Sequence, residues 1–221
     1  MTHDRDIREP LFEFLEEQYG KVRIIEEKMM GQSRADVVMI TENALFGLEI
    51  KSDADTYARL SRQVRDYSKF FDYNYVVVGT SHAAHIEEHV PDHFGIITVE
   101  YISADLDFYI LRKPQKSPDL EMSFKIQILW RPELNKLLAE NGLPVYRQKG
   151  KQFVRKVLAD SIDPGLLNRQ ISAQLFERDY NTIGEQIESF REEQQKRRAS
   201  KTGSPRTKKR RKKNDSISNK H

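Results

Sequence analysis

Gly31-Gln-Ser-Arg34-Ala-Asp36-Val-Val-Met-Ile40, a short turn, then Ala44-Leu-Phe-Gly-Leu-Glu49-Ile50-Lys51-Ser-Asp53 is the stretch on which the reading of this chain turns. Each half is an apolar run interrupted by charge. Two adjacent strands joined by a tight turn bring Asp36 beside Glu49 and Lys51. Side chains alternate faces along a strand, so Glu49 and Lys51 point the same way. Charge within such runs is costly unless it is paired or bound to a metal.

Two carboxylates and an amine at one spot suit a divalent cation, a water and a phosphodiester. Asp36 and Glu49 are the expected ligands of one Mg²⁺ or Mn²⁺, with the backbone carbonyl of Ile50 as third oxygen and Glu26 or Glu27 of the preceding strand as a further carboxylate. Adjacent strand residues face opposite ways, so only one of that pair is expected to point inward. Lys51 would orient or deprotonate the attacking water, or stabilise charge on the phosphorus centre. Gln63 follows on a helix, at helical spacing from Leu60 and Tyr67, as a hydrogen-bonding partner. Arg34, two residues before Asp36, is placed to meet a phosphate or a carboxylate.

Working outward, residues 5–113 alternate helix and strand signals. Ile7, Leu11, Phe14 and Leu15 recur at helical spacing, with Pro10 expected near the first turn and Gly20 at the end. Strands are expected from Val22, over 34–41 and over 45–51. Asp53 or Asp55 would cap a helix with Tyr57, Leu60, Val64, Tyr67 and Phe71 on its apolar face. Tyr75 to Gly79 reads as a buried strand, Ser81 as the cap of a helix ending near Pro91, Phe94 to Tyr101 as a strand and Asp107 to Leu111 as an edge strand. The order predicts an α/β domain with a mixed central sheet flanked by helices over residues 1–113. Residues 114–122 read as a linker and 123–194 as a helical C-terminal unit. Residues 195–221 read as a disordered basic tail.

The net charge of +3 hides an asymmetry: residues 196–221 carry +11, which leaves −8 for the rest, all of it within residues 1–119. An acidic body favours a cation but argues against broad DNA binding by that body alone. Basic candidates lie elsewhere: Arg147, Lys149 and Lys151 in a stretch free of acids, and Lys208, Lys209, Arg210 and Arg211 in the tail, which attracts polyanions with steep salt dependence. The absence of cysteine excludes disulfides and thiolate metal sites. No apolar stretch reads as a membrane span or a signal peptide, so a cytoplasmic, nucleoid-associated protein is expected; in a eukaryotic host the tail would read as a nuclear-import signal. His82, His85 and His89 would share one face of a continuous helix, but a polar surface is the favoured reading. The dense aromatics Tyr67, Phe70, Phe71, Tyr73 and Tyr75 read as core rather than a base-stacking platform.

Asp36, then Glu49-Ile50-Lys51, then Gln63 in a helix resemble the PD-(D/E)XK nuclease superfamily. A closer resemblance is to a group of small bacterial proteins with Gly-x-x-Arg-x-Asp (Gly31 to Asp36), Gly-x-Glu-Ile-Lys-Ser-Asp (Gly47 to Asp53) and Leu-x-Arg-Gln (Leu60 to Gln63). It continues through Pro91 to Gly95 and Leu129-Trp130-Arg131, and leaves the basic tail outside. The resemblance implies a restriction-endonuclease-like core and Mg²⁺-dependent cleavage of phosphodiester bonds in DNA. Metal would sit at Asp36 and Glu49, with Lys51 at the chemistry and Gln63 in support; two-strand cutting in the superfamily implies a homodimer. The alternative is a catalytically inactive DNA-binding or regulatory protein that keeps the nuclease fold.

Overall fold

A computed structural model describes residues 4–51, 57–102, 105–178 and 189. Residues 1–179 cluster as one unit and 180–221 as a second. The positions proposed as caps at Asp53 and Asp55, and the tail residues Lys208, Lys209, Arg210 and Arg211, lie outside the described residues.

Helix α1 (Asp4–Tyr19) leads into strands β1 (Arg23–Met30), β2 (Ser33–Ile40) and β3 (Leu45–Lys51); α2 (Leu60–Phe70) crosses to β4 (Tyr73–Gly79), and the short α3 (Thr80–Ala83) precedes β5 (Phe94–Ile102) and β6 (Asp105–Arg112). The six strands lie in sequence order in one mixed sheet, with β3–β4 and β4–β5 parallel and the other pairs antiparallel. Helices α4 (Met122–Lys125), α5 (Arg131–Glu140), α6 (Lys151–Ser161) and α7 (Pro164–Phe176) follow.

The sheet carries a core on each face, as alternation requires. On one face, Ile7, Leu11 and Leu15 of α1 pack against Val37, Met39, Leu48, Ile50 and Val77. On the other, Leu60, Tyr67 and Phe70 of α2 join Val38, Ile40, Leu45 and Val76, and this cluster runs on into Leu134, Leu138, Leu158, Leu167 and Ile171 of the later helices. β3 is buried along its whole length. Gly47 admits the close approach of α2's end: a Cβ there would sit 2.2 Å from the Phe71 ring.

Several expectations shift. Pro10 sits inside α1, well beyond its first turn. Gly20 ends that helix as expected, at φ +73°. Phe71 lies past the end of α2, in extended backbone, yet is fully buried. The helix expected from Ser81 to near Pro91 is instead α3 and a separate 3₁₀ turn over Ile86–Glu88, so His82, His85 and His89 share no helix face. Two of them meet Tyr57 instead: Tyr57 Oη lies 2.9 Å from His82 Nδ1 and the Tyr57 ring 4.2 Å from that of His89. Tyr67, Phe70, Phe71 and Tyr75 are buried in the core.

The segment read as a linker is tied to the end of α2 and the turn after it: Ser117 N donates to Asp72 O at 2.8 Å and Ser117 Oγ to Ser68 O at 2.6 Å. A buried polar network then joins the later helices to Asp72, in the turn between α2 and β4, and to the start of β3. Lys125 Nζ donates to Asp72 Oδ2, to Asn168 Oδ1 and, at 3.1 Å, to Ser172 Oγ, while Asn168 Nδ2 and Leu45 N donate to Asp72 at 2.9 and 2.7 Å. Burial pulls the Lys125 ammonium below its ordinary value, and the Asp72 charge and hydrogen bond oppose that shift. At the end of the described segment 105–178, Arg178 forks onto Glu133 at 2.6 and 2.7 Å and stacks 4.2 Å from the Trp130 ring.

Candidate functional site

The antiparallel ladder between β2 and β3 ends at Val37 opposite Leu48. One residue further on, at Asp36 and Glu49, backbone pairing stops. The Asp36 carboxylate takes over and accepts from Ile50 N at 2.9 Å. Beyond Leu48, β3 pairs only with β4. This parting opens a cleft of about 480 Å³ at the carboxyl end of β3, lined by Arg34, Asp36, Glu49, Lys51, Arg59, Arg62 and Gln63 among others. Open α/β sheets bind ligands at the carboxyl ends of their parallel strands.

Within the cleft, Glu49 is 2% exposed and is held from three sides. Lys51 Nζ donates to Oε1 at 2.6 Å, Gln63 Nε2 donates to the same oxygen, and Tyr67 Oη donates to Oε2 at 2.6 Å. Burial first, and then the neighbouring Glu49 and Asp36 charges, push the Tyr67 phenol well above its ordinary value, which keeps it a donor. Gln63 and Tyr67 stand one helical turn apart on α2, which explains how one helix face supplies both. Sequence reasoning assigned Tyr67 to the core alone. Arg59 also escaped it, and Arg62, although part of the Leu-x-Arg-Gln motif, was given no role; both are exposed at the cleft.

Glu26 and Glu27 do not line the cleft. Glu27 adopts φ +52°, which breaks the strand's alternation, and both carboxylates meet Arg8: Glu26 at 2.9 Å and Glu27 at 2.5 Å. The expectation that the two face opposite ways therefore gives way at this bend. Glu27 also pairs with Arg34 at 2.7 Å, which steadies Arg34 at the rim. Among the described residues no group of three or more His, Cys, Asp or Glu side chains is placed to hold a metal ion.

Whether the cleft fits a hard cation can be judged from its donors. Each carboxylate oxygen has two acceptor positions. Glu49 Oε1 is filled by Lys51 and Gln63, whereas among the described residues Oε2 accepts from Tyr67 alone. Two further buried oxygens in residues lining the cleft, Ser33 Oγ and Gln63 Oε1, have no hydrogen-bond partner among the described residues. Magnesium uses one or two carboxylates and keeps several waters, so this oxygen-rich set fits it. The cleft's charge is the reverse of the body's: Arg34, Lys51, Arg59 and Arg62 outnumber Asp36 and Glu49.

Arg147, Lys149 and Lys151 are exposed and stand away from this cleft, at and before the start of α6. Lys149 Nζ lies 5.2 Å from the Phe153 ring. Lys151 and Arg155 belong to the electrostatic surroundings of β1. The Lys28 ammonium is lowered chiefly by burial and then by Arg178, with Glu133 opposing and Lys151 and Arg155 adding to the fall.

Fold and cleft together define a mixed α/β protein with a carboxylate–cation site at the end of its parallel strands. The chain belongs to the family described as Bacteriophage P4 protein cII, whose sequence profile matches residues 2–202. Protein cII of Enterobacteria phage P4 is 23% identical over 146 residues, which cover 65% of this chain and 55% of the phage protein. The chain thus spans about half the length of that curated relative. Among solved structures, Pyrococcus furiosus SfsA in complex with Ca²⁺ aligns at a TM-score of 0.32 and 13% identity, covering 50% of this chain and 62% of SfsA. Among the described residues no helix is long and apolar enough to cross a membrane.

Proposed function

We propose that this chain is a metal-dependent nuclease with a restriction-endonuclease-like core, hydrolysing phosphodiester bonds in DNA with Mg²⁺ or Mn²⁺. The observation that carries the reading is the convergence of Asp36, Glu49, Lys51 and Gln63 on one cleft rimmed by arginines. The cation would be held by Asp36, by Glu49 and by the Ile50 carbonyl; when bound it neutralises phosphate charge and makes a water more acidic.

This chain's own groups do the rest. Gln63 and Tyr67 fix the Glu49 carboxylate, so its orientation costs no ordering at the moment of reaction. Lys51 is ion-paired with Glu49 and acts as a cation that stabilises charge developing at phosphorus, rather than as a base. Arg34, Arg59 and Arg62 take the flanking phosphates; guanidinium forks match phosphate oxygens in pairs. A positive cleft in an acidic body confines DNA binding to this site and to basic segments elsewhere in the chain.

The test is cleavage of linear, nicked, branched and single-stranded DNA in Mg²⁺ and in Mn²⁺, by wild type, Lys51→Ala and Asp36→Ala. Cleavage by wild type that both variants lose is expected. No cleavage of any substrate, with equal DNA binding by all three proteins, would overturn the enzyme reading and leave an inactive DNA-binding protein that keeps the fold.

A further inference from the structure

A second cavity, of about 370 Å³, lies at the opposite end of β3 from Glu49 and Lys51, where Phe46 faces away from the α2 side. Its size falls at the small end of the roughly 300–1,000 Å³ typical of ligand pockets. Its walls are aromatic: Tyr19 from the end of α1, Phe46 from β3, and Tyr73 and Tyr75 from β4. The Phe46 and Tyr73 rings stack at 4.9 Å, and the Tyr19 ring tilts against Phe46 at 5.1 Å. Gly95 makes room for this arrangement, since a Cβ there would meet the Tyr75 ring at 2.3 Å and Pro114 N at 2.9 Å.

Two features give the pocket polarity. Tyr19 Oη and Tyr75 Oη share one hydrogen bond of 2.6 Å. Whichever phenol donates, the other keeps a hydroxyl hydrogen for which no protein acceptor is found among the described residues. Burial raises both phenols above their ordinary values, so both stay protonated. Lys113 also lines the cavity, exposed; among the described residues it has no carboxylate partner and no Asp or Glu lines the cavity.

We propose that this pocket binds a nucleotide: a base against the aromatic walls, a base oxygen or nitrogen on the spare phenolic hydrogen, and the phosphate on Lys113. Flat rings stack on such walls regardless of base identity. This site is independent of the cleft at Asp36 and does not rest on the nuclease reading.

Isothermal titration of the full chain with dTMP, thymidine and inorganic phosphate tests it. dTMP is expected to bind, and thymidine and phosphate to bind at least about tenfold more weakly, a difference of about 1.4 kcal/mol. Lys113→Glu, on the surface, and Tyr73→Ala should each weaken dTMP, Tyr73→Phe should restore it, and the cleft variant Arg59→Ala with Arg62→Ala should leave it unchanged. A 5′-phosphorylated tetranucleotide that competes with dTMP identifies a strand end as the ligand; failure to compete identifies a free nucleotide. No dTMP binding, phosphate binding as well as dTMP, or full affinity in Lys113→Glu would each overturn the proposal.

Discussion

Lys125→Met removes the buried ammonium while keeping most of the side chain's length. In the wild type that ammonium is fully enclosed and touches Asp72, Asn168 and Ser172. In the variant, the Asp72 carboxylate stays buried with, among the described residues, Leu45 N and Asn168 Nδ2 alone donating to it. Removing one partner of a buried ion pair costs about 3–5 kcal/mol, most of it the penalty of the stranded charge. For a chain of this size each kcal/mol lowers the melting temperature by about 2–4 °C, so a fall of about 6–20 °C is expected. Adding Asp72→Asn removes the stranded charge and keeps an acceptor for Leu45 N, so the double variant should recover about 2 kcal/mol of the loss. Urea unfolding followed by circular dichroism, on wild type, both single variants and the double, reads these differences. A loss below about 1 kcal/mol in Lys125→Met, or a double variant no better than the single, would refute the buried pair as the link between α4, α7 and the α2–β4 turn.

Further outcomes follow from the cleft and its surroundings. Tyr67→Phe keeps the ring packed on Phe71 but removes the donor to Glu49 Oε2; a loss of about 1.5–3 kcal/mol in urea unfolding is expected, and unchanged stability would count against that hydrogen bond. Arg59→Ala and Arg62→Ala should each weaken DNA binding and reduce the slope of log K against log salt by about 0.9, read by fluorescence anisotropy; an unchanged slope would show that neither meets a phosphate. Burial, opposed by Asp119 and aided by Arg112, lowers His93 from its ordinary 6.5, so the unfolded chain takes up the proton first as pH falls. Its contribution to stability is intact above 6.5 and is lost as pH drops through the lower folded value, so His93→Gln should flatten the acid side of the stability–pH curve; a variant with the wild-type acid slope would exclude His93 as a source.

The α/β order and the mixed sheet were legible because alternation and apolar runs are local signals, strongest in β2, β3 and β4. So was the meeting of Asp36, Glu49 and Lys51, which needs only a hairpin and the two-residue period of strands. What escaped is non-local or conformational. Asp72 and Lys125 are 53 residues apart, and no local pattern pairs them. Tyr67 sits at an apolar helical spacing, and the same helix face covers both core and carboxylates, so its second role has no separate signal. Glu27 adopts a left-handed conformation that its residue type does not announce, and this swings it toward Arg8. Pro10 reads as a helix-start residue, but α1 extends before it because Ile7 and Arg8 bury against the sheet and its edge.

The hydrogen bond from Ile50 N to Asp36 has a use beyond architecture. Most amides of a sheet interior are protected from exchange by a neighbouring strand's carbonyl and say nothing about side chains. Amide 50 answers instead to a carboxylate in the cleft. Its proton resonance and its hydrogen-exchange rate therefore form an internal gauge: anything that engages Asp36 should move both, whether or not a bond in any substrate is broken.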